Sequence, residues 1–145
     1  MKKFIGYLFI IFLLTSPLSG CEVKTKYEFI HDSPDISSIE IVKVGEESSQ
    51  EIIEQTTISI VDDMERFIED FNRINCYTIY SDPSGIEDNT VVIKIIYNSD
   101  DYELIGVGGQ AKYVSGKYDN YVGYQYFDQD QYKALISKYS DNNIG

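Results

Sequence analysis

At 145 residues the chain has room for one domain and none for a second. With 43% hydrophobic and 25% charged residues it reads as globular, which argues against intrinsic disorder. Against 12 Lys and Arg stand 24 Asp and Glu, a formal net charge of -12 that repels nucleic-acid phosphates and anionic headgroups, so no nucleic-acid partner is expected.

The chain opens with Lys2 and Lys3, an apolar run over residues 4–14, and the stretch Leu18-Ser19-Gly20-Cys21. A membrane-spanning helix needs about 20 apolar residues, so residues 1–20 read as a targeting segment rather than a span. Basic start, apolar run and "LSGC" together resemble the signal peptide and lipobox of bacterial lipoproteins. The resemblance implies a diacylglycerol thioether on the Cys21 sulfur, with Leu18, Ser19 and Gly20 as the cleavage motif. It also implies a mature chain that starts at Cys21, lipid-anchored on the extracytoplasmic face of the cell membrane. It covers the targeting segment only; the alternative there is an uncleaved anchor helix with a coincidental cysteine. The mature part is similar in style to small uncharacterised lipoproteins of low-GC Gram-positive bacteria, rich in Ile, Asn and Tyr, but no motif carries residues across.

An acylated Cys21 leaves the second cysteine, Cys76, without a disulfide partner. Cys76 then reads as a small buried hydrophobe at a helix-to-strand junction. No CxxC or CxxH spacing supports a metal or catalytic role for it. Loss of Lys2 and Lys3 leaves 10 basic against 24 acidic residues, a net charge of -14. Residues 21–35 read as the lipidated cysteine and a flexible tether spanning roughly 20 Å, with "YEFIH" as an optional edge strand and His31 solvated.

The folded domain is placed at residues 36–140. "ISSIEIVKVG" alternates, with Ile39 and Ile41 on one face and Glu40, Val42 and Val44 on the other, and "EIIEQTTISI" returns as a second strand. A helix follows, capped by Asp62 with Glu65 three residues on. Its stripe is Met64, Phe67, Ile68, Phe71 and Ile74, its outer pair is Glu69 with Arg73, and its end falls near Asn75. Strands resume with "CYTIY" and a Pro83–Gly85 turn. The hairpin "TVVIKIIYNSDDYELIGVG" puts Val91, Ile93, Ile95 and Tyr97 on one face. A Gly108-Gly109 turn leads to "QAKYV", then "SGKYDN" and "YVGYQYF". A second helix, capped by Asp128 with Gln131, repeats Tyr132, Leu135, Ile136 and Tyr139, and residues 141–145 fray. The class is α+β, an antiparallel meander with two helices on one face, in the order β-β-α-β-β-β-β-α.

Motifs for chemistry are scarce. "GVGGQ" lacks the following helix and Lys-Ser/Thr of a phosphate loop and reads as a turn. "NSDD" and "DQD" lack the EF-hand spacing for calcium, and no metal or cofactor is expected. A serine nucleophile would depend on the histidine in the tether. Tyr113, Tyr118, Tyr121, Tyr124 and Tyr126 crowd the last strands and form a candidate interaction surface. The alternative is that they cover an open sheet face as cross-strand pairs. The leading function is a non-enzymatic binding module held at the membrane by the lipid on Cys21. A second version is an inhibitor or immunity-type protein that blocks a basic protein partner. A carboxylate-based hydrolase is a third, disfavoured because the acidic residues are placed at caps and turns.

Overall fold

The computed structural model describes residues 23–47, 53–78, 86–119 and 125–140. Among these, β1 (Val23–Thr25), a single 3-10 turn (Ser33–Asp35), β2 (Ile36–Glu47) and β3 (Ile53–Ile60) precede α1 (Met64–Phe71). Then come β4 (Cys76–Thr78), β5 (Val91–Tyr97), β6 (Tyr102–Ile105), β7 (Gln110–Val114), β8 (Lys117–Asp119), β9 (Gln125–Phe127) and α2 (Gln129–Ser140). The α+β class holds, and the expected strand–helix order is found from β2 onward, with β9 falling at the end of "YVGYQYF" and the three-residue β8 added before it.

The strands do not form one meander. Six of them pair antiparallel in the order β3-β2-β5-β6-β7-β8, while β1, β4 and β9 form a separate three-stranded sheet in the order β1-β4-β9. The "CYTIY" strand therefore leaves the large sheet and takes β1 and β9 as neighbours, in the rows Thr25–Cys76–Phe127 and Lys24–Tyr77–Tyr126. "SGKYDN", read as a turn, yields β8. Ser115 and Gly116 form the two-residue link before it, both with positive φ (53° and 72°), as the right-handed twist of a tight hairpin requires.

The alternation in β2 divides two cores. Ile39 and Ile41 join Ile93, Ile95, Tyr97 and Ile105 on the face that packs against both helices and the small sheet. Phe67, Ile68 and Phe71 of α1 and Tyr132 and Leu135 of α2 close that core, as their helical spacing predicts. Val42 and Val44 lie on the opposite face with Val92, Leu104, Ala111 and Tyr113, all at most 5% exposed. Both faces of the large sheet are therefore core, and the face away from the helices is not the open one assumed from sequence.

The caps differ in detail from the sequence reading. Asp63, not Asp62, caps α1, accepting from the Arg66 N–H, and α1 gives way at Asn72 rather than Asn75. Asp128 does cap α2 through the Gln131 N–H. The Gln131 side chain, expected to reach back to its own helix, instead accepts from the Asn75 N–H at 2.7 Å and ties α2 to the chain leaving α1. Asp70 braces the two helices, accepting from Lys138 Nζ at 2.5 Å and Tyr139 Oη at 2.7 Å.

Candidate functional site

The segment read as a tether is packed onto the domain, which begins by residue 23 rather than 36. After β1, residues 26–31 have no strand partner, so their backbone groups need other acceptors and donors. Side chains from the large sheet and β9 supply them. Gln125 donates from Nε2 to the Lys26 carbonyl at 2.9 Å and accepts at Oε1 from the Glu28 N–H at 3.3 Å. Lys112 Nζ donates to the Glu28 carbonyl at 2.6 Å, and the Ile30 N–H donates to Glu103 Oε1 at 3.2 Å. Tyr27, 8% exposed, lies among Phe29, Phe71 and Phe127 with ring centroids 5.0–5.6 Å away.

Glu103 is the centre of this clamp. Strand alternation aims it into the helix-side core with Ile105, and it is 0% exposed. Its carboxyl group accepts from the Tyr27 hydroxyl at 2.6 Å and from the Tyr97 hydroxyl, and Lys112 Nζ lies 3.9 Å away. Burial, then the charge of Glu103, hold both phenols well above the ordinary tyrosine value. They act as fixed donors, since a buried charge is tolerated only where it is paired and hydrogen-bonded. The expectation that acidic residues sit at caps and turns fails here. A glutamate flanked by Tyr102 and Leu104 in a strand was the available signal.

His31 is only partly solvated, 36% exposed, and is bonded to the domain. Its Nε2 lies 2.7 Å from Asp101 Oδ2, its ring meets Tyr97 edge-on at 5.0 Å, and Ser99 Oγ is 3.3 Å from the same nitrogen. Ser99 also donates to Asp101 Oδ2 at 2.9 Å, and the Ser115 N–H donates to Oδ1 at 2.8 Å. These bonds hold the Asp101 carboxyl below the usual aspartate range, His31 contributing most. Serine, histidine and aspartate thus meet, but hydroxyl and carboxylate share one ring nitrogen. A nucleophile relay needs them on opposite nitrogens.

The tyrosines named from sequence are divided. Tyr113 is 5% exposed and stacks on Tyr102 at 4.2 Å, so it fills the second core instead of presenting a surface. Tyr126 is half-buried and stacks on Tyr77 at 5.2 Å, on the outer face of the small sheet. Tyr118 lies on β8 opposite Tyr113, but its side chain, Tyr121 and Tyr124 are outside the described residues, as are Cys21, Leu18, Ser19 and Gly20. Cys76 is 3% exposed at the start of β4, and burial pushes its thiol up to about 11.

The "GVGGQ" segment is the turn between β6 and β7, closed by the Gly106 N–H donating to the Gly109 carbonyl at 2.8 Å. It borders a groove of about 590 Å³ whose lining combines Ile86, Val91, Val107, Tyr132 and Ile136 with polar Thr90, Gln129, Ser137 and Ser140 and charged Glu87 and Lys133. Among the described residues no group of three His, Cys, Asp or Glu is placed to hold a metal ion. No protein-family model, curated protein or solved structure matches the chain.

Proposed function

We propose that the protein is a lipid-anchored, extracytoplasmic binding module without enzymatic activity. The arrangement of Lys2-Lys3, the apolar run and Leu18-Ser19-Gly20-Cys21 supports this reading, because it resembles the signal peptide and lipobox of bacterial lipoproteins, in which the cysteine sulfur is acylated. Two acyl chains, at about 0.8 kcal/mol per buried methylene, hold a domain at a bilayer where one chain does so only marginally. The side chains in the body of the domain support a binding role. Among the described residues the most buried carboxyl group, Glu103, fastens the N-terminal segment, and Ser99, His31 and Asp101 lack the geometry of a relay. The groove beside the β6–β7 turn has the size of a small-ligand site and a lining that mixes apolar with polar and charged side chains, and it is the concave surface such a module would use.

Mass spectrometry of the mature amino terminus tests the anchor. A diacylglycerol-modified Cys21 as the first residue is the expected result, and an unmodified or disulfide-bonded cysteine there contradicts it. Cys21→Ala should leave the membrane fraction. Retention there at unprocessed length would favour an uncleaved helix.

A further inference from the structure

The register of the strands fixes which end of the domain lies nearest Cys21. Residues 26–31 run backwards along β6: His31 is bonded to Asp101, Tyr27 to Glu103, and Gln125 and Lys112 hold residues 26 and 28. The chain reaches this segment from β1, whose row Thr25–Cys76–Phe127 lies level with the turn that follows β6, where the Phe127 N–H donates to the Val107 carbonyl. Val23, paired with Thr78, therefore sits at the end of the molecule that holds the 106–109 turn and the groove. The opposite end carries the 98–101 turn, the 33–35 turn bonded to Asn98, and the Ser115–Gly116 turn bonded to Asp101. β5, seven residues long, separates the two by about 23 Å.

Only Glu22 lies between Cys21 and Val23. Two residues reach at most about 7 Å, so a lipid on Cys21 leaves this end no freedom to move away from the headgroups. We infer that the domain stands on the membrane on its β1–β4–β9 end, with the outer row Lys24, Tyr77 and Tyr126 at the headgroup layer and the Asp101 end pointing outward. This rests on the anchor reading above. The partner is the lipid surface that holds the anchor. Lys24 and Lys26 are exposed cations, and the stacked Tyr77–Tyr126 pair joins apolar rings to polar tips, the residue types that settle at a bilayer interface. Exposed acids Asp32, Asp35 and Asp100 stand at the outward end, where repulsion from an anionic leaflet favours them. Glu28 follows Lys26, and Glu87 and Asp88 lie at the near end. The short link, not net charge, therefore sets the orientation.

Acetylation of lysines reads this directly. The full lipoprotein, added to preformed vesicles of equimolar phosphatidylcholine and phosphatidylglycerol, is treated with a water-soluble acetylating reagent and digested. Lys117, exposed beside Gly116 at the outward end, is the internal reference. Relative to Lys117, Lys24 and Lys26 should react about fivefold more slowly in vesicles than after the vesicles are dissolved in detergent, the factor corresponding to about 1 kcal/mol for a lysine at an anionic surface. The same digest shows the lipid. A lipidated terminus with an unchanged lysine ratio overturns the orientation and leaves the anchor standing. A terminus without lipid removes the anchor and this inference with it.

Discussion

The Tyr27 hydroxyl donates a 2.6 Å hydrogen bond to Glu103 Oε2, joining residues 76 positions apart inside the core. The bond matters because Glu103 also serves Tyr97 and the Ile30 N–H, so its loss leaves two phenols and a backbone donor unsatisfied. Glu103→Ala should lower stability by about 3–5 kcal/mol, because each buried donor left unsatisfied costs about 1–3 kcal/mol. Tyr27→Phe removes a single donor and should cost about 1–2 kcal/mol. Urea unfolding followed by circular dichroism measures both. Equal, small losses would mean that Glu103 does not organise the clamp.

The His31–Asp101 contact predicts an acid-sensitive latch on the same segment. The folded-state value of Asp101 is depressed, most by the His31 bond, then by the Ser115 N–H and Ser99. A depressed carboxyl stabilises the fold fully above its unfolded value of about 3.9, and that stabilisation is lost as pH falls through the lower folded value. Wild type should therefore be more stable than Asp101→Asn at neutral pH, with the gap closing as the solution is taken below pH 4. Urea midpoints across the acid range decide it. A gap that stays constant would show that Asp101 titrates alike in folded and unfolded chains.

Much of the large sheet was legible because period-2 alternation reports faces. Ile39 and Ile41 against Val42 and Val44, and Ile93, Ile95 and Tyr97 along β5, fall on the sides their spacing assigns. Strand partners were not legible, since three-residue strands such as β1, β4 and β9 carry too few alternations to specify a neighbour. The clamp stayed hidden for a related reason. Residues 26–31 are held by Gln125, Lys112 and Glu103, side chains 73 to 99 positions away that no local pattern links to them. Tyr27, Phe29 and Ile30 inside a supposed tether were the one visible sign of packing. The cap at α1 slipped by one residue because Asp62 and Asp63 are adjacent and both suit the position.

Cys76 offers a probe of the small sheet. Its thiol is 3% exposed and pushed up to about 11 by burial, so almost none is thiolate near neutral pH, and the thiolate is the reactive form. Iodoacetamide at pH 8 should leave Cys76 unmodified in the folded protein and alkylate it fully in urea, as read by peptide mass spectrometry. Rapid native labelling would show that the β1–β4–β9 sheet opens readily.

Ser99 is the remaining test of chemistry. It lies 3.3 Å from His31 Nε2, close enough to invite a hydrolase reading, yet it donates to Asp101 Oδ2, and Asp101 occupies the same nitrogen at 2.7 Å. With that nitrogen engaged by the carboxylate, the imidazole is not positioned to withdraw the serine proton. A fluorophosphonate probe should therefore leave Ser99 unlabelled, and Ser99→Ala should cost about 1 kcal/mol of stability, the value of one hydrogen bond. Labelling of Ser99, abolished by His31→Ala, would restore nucleophilic catalysis as the function of this end of the molecule.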